Sequence, residues 1–361
     1  MRKEFQKSQS NKQLIHLLLS ICVLFAGLFL VTISGVSEQA PDYSLKYEAS
    51  ERTEKCFAAI REARLARGLP ISKETDVNET GLIGSDYSFI TTTLGDLPAK
   101  RTTTNPNMAA IIVDMMDQLS LTAGDRIAVN CSGSFPALNT AVLCAADTLG
   151  LDPIVISSFG ASSHGANDPD FTWLDMEHEL YSRGLIGHKS SYFSIGGNLD
   201  IGTEMPDEIV QSITKRIEGY GYPLIYDEDL KHNILSRYAL YNSGKPVKCF
   251  INVGGNDASF GDSIVMVHAA GGILTELSEH DNSTGLVQLF LADDIPVIHL
   301  LNIKSIAADY QMPFDPVPLP DVGEGSVYYE TRYSKPLICV FLLISIVLLS
   351  RLYFAKNKTL Q

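Results

Sequence analysis

The chain has 361 residues, 45% of them hydrophobic and 19% charged, with 28 basic against 42 acidic side chains and a formal net charge of −14. That length and apolar content can build a large folded core, which excludes a disordered or low-complexity chain. The acidic balance speaks against nucleic acid as a partner and against a domain lying flat on an anionic membrane.

The first element, Leu14 to Val36 (LIHLLLSICVLFAGLFLVTISGV), is apolar apart from His16 and a few hydroxyls. It can cross the roughly 30 Å hydrocarbon core of a bilayer, and it exceeds the apolar region of about 7–15 residues in a cleavable signal. It reads as an uncleaved transmembrane helix over residues 14–36 behind a tail of residues 1–13, with cleavage near Ala40 as the alternative. At the other end, Leu337 to Leu349 followed by Arg351, Tyr353 and Phe354 predicts a second span over 336–354, with Arg351 snorkelling and a tail of 355–361. Arg2, Lys3, Lys7 and Lys12 precede the first span, and Arg351, Lys356 and Lys358 lie in or after the second. By the positive-inside rule both termini are cytoplasmic and residues 37–335 lie outside the cytoplasmic (inner) membrane, with Arg332 and Lys335 running against that orientation. Residues 37–335 hold 21 of the 28 basic and 41 of the 42 acidic residues, a net charge near −20.

Within this outer region Tyr47 to Leu65 predicts an amphipathic helix, with Cys56, Phe57, Ile60 and Ala63 inward. Residues 71–105, rich in Thr, Ser, Asp and Gly around Lys100-Arg101, predict an irregular, exposed segment. A helix follows to Leu119, its methionines core-filling rather than metal-binding. Then comes IAVNCSGSFPALNTAVLCAADTL (127–149): a short strand, a loop of small residues, and a helix begun by Pro136. A helix N-terminus behind such a loop favours an anion or a developing oxyanion, and Ser132 and Ser134 could add hydroxyls there.

Four further strands are predicted at 153–156, 191–195, 248–253 and 296–301. Between them lie helices from about Asp170, from Pro206 to Glu218, from about Asp229 to Tyr241 and from Thr284 to Ala292. A short helix from Ser305 to Tyr310 and a Pro- and acid-rich linker, 311–335, lead back to the membrane. Alternating strands and helices with near-continuous apolar strands predict one α/β domain, a mostly parallel sheet with helices on both faces.

Each strand gives way to small or polar residues at its carboxyl end. These are Ser132-Gly133-Ser134, Ser157-Ser158, Gly196-Gly197-Asn198, Gly254-Gly255-Asn256-Asp257 and Asn302. In a parallel sheet those ends share one rim, where ligands bind. The bland alternative is that Gly and Asn serve only turns that need positive φ. For chemistry, Ser132, Ser134, Ser157 and Ser158 are candidate nucleophiles, and His164 is the nearest base, with Asp168, Asp170 or Asp257 to orient it. No G-x-S-x-G elbow, H-E-x-x-H, G-x-G-x-x-G or P-loop occurs, so no metal or cofactor is expected. An oxygen-liganded cation at Asp257, Asp262 or Glu276 has no spacing behind it. His178 reads as a surface residue, His268 and His299 as core histidines. Cys22 and Cys339 fall in the spans, and Cys56, Cys131, Cys144 and Cys249 fall outside, where disulfides are permitted. Cys131 and Cys144 read as buried thiols, and Asn78, Asn130 and Asn282 fit the N-glycosylation tripeptide.

A basic tail, one span, an outer domain near 300 residues and a closing span carry the runs IAVNCSGSFPALN, ISSFGASSHGANDPDFTWLDME and FINVGGNDASFG in that order. Over nearly its whole length the chain resembles the bacterial poly-γ-glutamate system protein family. The resemblance implies an accessory of poly-γ-glutamate (capsule polymer) synthesis and export, with the synthase and export membrane proteins, and the polymer itself, as partners. It brings no catalytic residues with it. The acidic outer domain requires a local basic patch for such a polymer, for which Lys189, Lys245, Lys248 and Lys304 are candidates, or a bridging cation. The alternative is a serine-type hydrolase or transferase that trims or attaches the polymer through Ser132, Ser134 and His164.

Overall fold

The computed structural model describes residues 2–261, 263, 269–277 and 284–357, so Asp262, His268 and Asn282 lie outside the described residues. The chain divides into two compact units, one of Met1–Ala40 with Tyr329–Gln361 and one of Pro41–Tyr328.

In the first unit the helices Arg2–Ile33 and Lys335–Asn357 pack together, and Val36–Gln39 pairs antiparallel with Tyr329–Arg332. The helices approach closely at Gly27, where an added Cβ would lie 2.6 Å from Cγ of Phe341; small residues permit such contacts between apolar helices. Leu14–Ile33, 20 residues, is long and apolar enough to cross a membrane, and most of it is exposed. The helix ends at Ile33, three residues short of the expected span, because Val36 is taken into the ribbon. The apolar stretch Lys335–Ser350 of the closing helix is shorter.

The second unit runs α1 (Tyr43–Ala66), α2 (Leu97–Thr103), α3 (Met108–Gln118), β1 (Arg126–Cys131), α4 (Pro136–Thr148), β2 (Asp152–Ser158), α5 (Trp173–Ser182), β3 (Tyr192–Ser194), α6 (Asp207–Gly219), α7 (Leu230–Tyr241), β4 (Val247–Val253), β5 (Gly272–Leu274), α8 (Leu286–Ala292), β6 (Val297–Leu300) and α9 (Ile303–Asp309). The six strands form one sheet in the order β3-β2-β1-β4-β6-β5, parallel except for the antiparallel β5 at one edge. From β1 the chain winds outward through β2 to β3, then returns to the other side of β1 at β4, passes to the far edge at β5 and comes back to fill the place between them at β6. This is a doubly wound sheet, and its order reverses between β1 and β4.

Alternation along the strands divides the interior into two cores. Ile127, Val129, Val155, Ile251 and Ile298 meet α1, α3, α4, α5 and α6 on one face, while Ala128, Ile154, Ile156, Phe250 and Val297 meet α7 and α8 on the other. The sheet is therefore covered on both sides, as its apolar strands lead one to expect. Trp173, the only tryptophan of the chain, is fully buried on the first face and donates its Nε1–H to Ser157 Oγ at 3.1 Å.

Three segments depart from expectation. Residues 71–96 are irregular as expected, but the end of the segment is not exposed: α2 forms over Leu97–Thr103, and Lys100, Thr102, Thr103 and Thr104 are buried. The threonine hydroxyls, the feature that suggested a solvated loop, turn back onto carbonyls within the chain, Thr102 onto Pro98 O at 2.8 Å and Thr104 onto Arg101 O at 2.7 Å. The expected linker after residue 311 is packed as far as Tyr328. Arg101 holds Asp315 through a two-pronged ion pair, and Asn107 takes the backbone of Asp321 and Gly323 at 2.9 and 3.1 Å. Near Asp170 a two-residue hairpin, Asn167–Asp168 with Phe171–Thr172, precedes α5, which starts at a Thr172–Asp175 capping box.

Candidate functional site

At the point where strand order reverses, the loop after β1 and the loop after β4 diverge and leave a crevice at the carboxyl edge of the sheet. Two adjoining cavities occupy it, of about 250 and about 500 Å³. The smaller is lined by Thr92, Thr93, Ser132, Ser158, Gly160, Gly197, Asn198, Glu204, Gly255, Asn256 and Asp257. The larger shares Thr93, Gly255, Asn256 and Asp257 and adds Asp96, Lys100, Ser134, Phe135, Ser162, Phe260, Asn302 and Lys304 among its walls. Four of the five strand ends marked in the sequence thus meet in the smaller space or at its border, and the fifth, at Asn302, reaches the larger one.

The individual residues have different fates. Ser132, Ser158, Gly197, Asn198, Gly255, Asn256 and Asp257 line the crevice, as do Ser134 and Asn302. Gly133 is there for packing: a Cβ on it would sit 2.8 Å from Phe159 O and 2.9 Å from Gly160 O. Ser157 lies beneath the floor, bonded to Ser190 Oγ at 2.6 Å and to Trp173. Gly196 and Gly254 make the sharp exits of β3 and β4 at φ of 79° and 80°. Two polar groups in the wall make no hydrogen bond among the described residues, Ser158 Oγ and Asn256 Nδ2. Buried polar groups in proteins are nearly always paired, so such orphans mark a place for a ligand or water.

The floor is a buried polar network. Asn130 Nδ2 donates to Asn252 Oδ1 at 3.0 Å and to Ser259 Oγ at 2.8 Å, and Asn252 Nδ2 reaches Gly254 O at 2.8 Å and His299 Nδ1 at 3.2 Å. One wall, the turn Gly197–Asp200, is held by carboxylates. Glu204 accepts from Asn198 N at 3.1 Å, and Asp257 accepts from Leu199 N at 2.7 Å. Burial raises the Asp257 carboxyl above its ordinary value, opposed by that backbone N–H and assisted by Asp200 and Glu204. The acids at the rim are therefore engaged in shaping it.

Lys100 is the residue that the sequence concealed. It comes from α2 to the base of α4, where its ammonium meets Ser134 O, donates to Ser162 Oγ at 2.7 Å and lies 3.8 Å from the Phe135 ring centroid. Burial pushes it down to about 7 against the opposing pull of Asp96. Ser134 Oγ accepts from Ser162 N and from Ser132 Oγ, both at 3.0 Å, so Ser132, Ser134, Ser162 and Lys100 form one chain of contacts. A lysine in a Thr-rich stretch reads as solvated; only the packing of α2 under the rim reveals it. Ser162 stands in the same Ser-rich loop as His164 and was within reach of sequence reasoning.

His164 does not join them. Its Nε2 faces Asp86 Oδ1 at 3.3 Å, and no hydrogen bond links it to Ser132 or Ser134 among the described residues. His178 is a half-buried ring stacked on Tyr220 at 4.0 Å between centroids, rather than a free surface residue. His299 is buried, as are Cys131 and Cys144, and the six cysteines are free thiols. Asn130 is fully buried and closed to glycosylation. The four lysines proposed for a basic patch do not converge: Lys245 pairs with Asp152 at the amino end of β2, Lys248 stands near the start of β4, and Lys189 covers the Tyr222 ring, leaving Lys304 at the rim. Three large apolar side chains stand exposed on the loop beside the crevice, Tyr87, Phe89 and Leu94. Among the described residues no cluster of His, Cys, Asp or Glu is placed to hold a metal. No protein-family model, curated protein or solved structure matches this chain.

Proposed function

We propose that this chain is a membrane-anchored accessory of a poly-γ-glutamate synthesis and export system. In this reading its α/β domain stands on the outer face of the cytoplasmic membrane, held by two spans with both termini inside. There it binds the polymer or its synthase partners. One observation carries the reading. The three runs that resemble the poly-γ-glutamate system family fall on β1 with its loop and α4, on the loop after β2, and on β4 with its loop, which are the walls of the crevice.

The chemistry of that crevice suits an amide-linked acidic chain. Ser132, Ser158 and Asn256 line the space where backbone amides would lie, Ser158 Oγ and Asn256 Nδ2 without a partner among the described residues, and Lys304 offers a cation to a side carboxylate. Glu204 and Asp257 keep their negative charge in the wall while they hold the Gly197–Asp200 turn, so the polymer's carboxylates are met by Lys304 or through a bridging cation. The exposed Tyr87, Phe89 and Leu94 give a membrane partner an apolar foothold.

Complementation tests it. A deletion strain carrying Ser158→Ala/Asn256→Ala at wild-type protein level is expected to lose polymer amount, length or surface attachment, and the purified double variant to lose affinity for γ-linked glutamate oligomers. Unchanged polymer in the full deletion overturns the family reading. Full function and unchanged binding in the double variant overturn the crevice as the site.

A further inference from the structure

The larger cavity holds more than binding groups. We infer that Lys100 and Ser162 are a catalytic pair, Lys100 the general base and Ser162 the nucleophile, acting on the acyl carbon of an amide in the crevice. The inference rests on the crevice as the ligand site proposed above, and it names the chemistry done there.

The geometry is that of a nucleophile and its base. Lys100 Nζ is 2.7 Å from Ser162 Oγ, within the reach a proton transfer requires. The amine is fixed from three directions: by Ser134 O, by Ser162 Oγ and by the Phe135 ring. Ser162 is fixed in turn through its backbone N–H, which donates to Ser134 Oγ at 3.0 Å. Among the described residues no carboxylate lies within ion-pair distance of Lys100, and Asp96 acts on it from farther away. The groups that face it set its protonation: Asp96 from the start of α2 and the Phe135 ring favour the ammonium, while burial beside the N-terminus of α4 opposes it. Burial prevails, so near neutral pH a large share of the amine is free to accept a proton.

The step balances with groups in place. The Ser162 Oγ–H proton passes to the Lys100 lone pair as Oγ bonds to the acyl carbon. The ammonium then returns that proton to the leaving nitrogen as the C–N bond breaks, giving an acyl-serine. Water, or an amine for transfer, gives its proton to Lys100 as it bonds to the acyl carbon; the ammonium then returns that proton to Ser162 Oγ as the ester C–O bond breaks, which restores the free serine and the neutral amine.

The test needs no polymer. Full-length protein in detergent micelles is treated with a fluorophosphonate, which loses fluoride to a nucleophilic serine, and the adduct is mapped by peptide mass spectrometry. One adduct is expected, on Ser162, with a labelling rate that rises with pH through a midpoint near 7. Ser162→Ala removes the adduct, and Lys100→Met slows labelling by about 100-fold or more. Trp173 fluorescence checks that each variant is folded, and Ser162→Ala keeps the test decisive if Lys100→Met is not. No adduct on folded wild type, an adduct that survives Ser162→Ala, or a rate flat across pH 6–8 overturns the pair. Labelled Ser162 in a chain that ignores γ-glutamyl oligomers keeps the pair and overturns the polymer instead.

Discussion

Arg237 is the strongest test of how the crevice wall is supported. It is fully buried on α7 and faces Asp200, also fully buried, at the end of the Gly197–Asp200 turn. The guanidinium pairs with Asp200 and Ser194, donates to Asn233 Oδ1 at 2.9 Å and reaches Asn130 Oδ1 at 3.2 Å. Asp200 also accepts from Ser194 Oγ at 2.9 Å and Asn233 Nδ2 at 3.1 Å. Arg237→Met fills the same space but leaves the Asp200 carboxylate buried without its cation, a loss of about 3–5 kcal/mol. Asp200→Asn strands the guanidinium and costs a similar amount, about 3–5 kcal/mol. The double variant holds no charge there and loses hydrogen bonds alone, so it should cost less than the sum by at least about 2 kcal/mol. The assay is denaturant unfolding of full-length protein in micelles followed through Trp173, which reports on the domain alone because the chain has no other tryptophan. Single-variant losses under about 1 kcal/mol, or a double variant additive within about 0.5 kcal/mol, would refute the claim of a tightly coupled, desolvated pair.

Three other outcomes are expected. Glu177 is fully buried and raised to about 7, chiefly by burial, with Ser190 N and Oγ donating to it at 3.0 and 2.8 Å. The folded state therefore holds its proton more tightly than the unfolded chain, so stability should fall by about 3 kcal/mol as pH rises from about 4.5 to above 7. Glu177→Gln should flatten that slope and unfold later than wild type at pH 8; an unchanged slope sinks the assignment. Gly133→Ala drives a Cβ against two carbonyl oxygens at 2.8 and 2.9 Å and should cost about 1–3 kcal/mol in the same unfolding assay, a neutral result counting against the packing role. Cys56 on α1 and Cys144 on α4 are buried with sulfurs 3.7 Å apart. In a chain exported to an oxidising compartment they should oxidise to a disulfide, protected from alkylation after denaturation until reductant is added; reactive thiols at both positions argue that the domain is not exported.

The sheet was legible because its signal is local. Each strand is a short apolar run closed by small residues, and each crossover has room for a helix, so β1 to β4 and β6 fall within two residues of expectation. The rim was legible for the same reason, since a parallel sheet puts all carboxyl ends together. What failed to show was whatever depends on a distant partner. Lys100 looks solvated until Ser134 and Ser162 enclose it, and Asp315 looks like linker until Arg101 takes it. The β5 strand, Gly272–Leu274, is three residues long and owes its conformation to pairing with β6. His164 misled in the opposite sense: it lies in a small pocket beside Ser134 and Lys100, but its Nε2 faces Asp86 and no hydrogen bond carries it to Ser132 or Ser134 among the described residues.

The buried network and the crevice are parts of one device. The Gly197–Asp200 turn carries Leu199 and Asp200 at positive φ, 54° and 63°, a conformation that costs free energy in residues with a side chain. Such a turn persists only when its surroundings over-determine it, and here three groups do so: Glu204 on Asn198 N, Asp257 on Leu199 N, and Arg237 on the Asp200 carboxylate. Arg237 reaches Asn130, Asn130 reaches Asn252, and Asn252 holds Gly254 O, so the turn after β3 is tied through the floor to the loops of β1 and β4. A crevice held this way keeps its polar groups in place before a ligand arrives, which lowers the ordering cost of binding. Weakening Arg237 should therefore do two things at once: lower stability, and loosen binding at Ser158 and Asn256, neither of which it touches. Loss of stability with unchanged affinity in a folded Arg237→Lys chain would separate the two, and would place the network in folding alone.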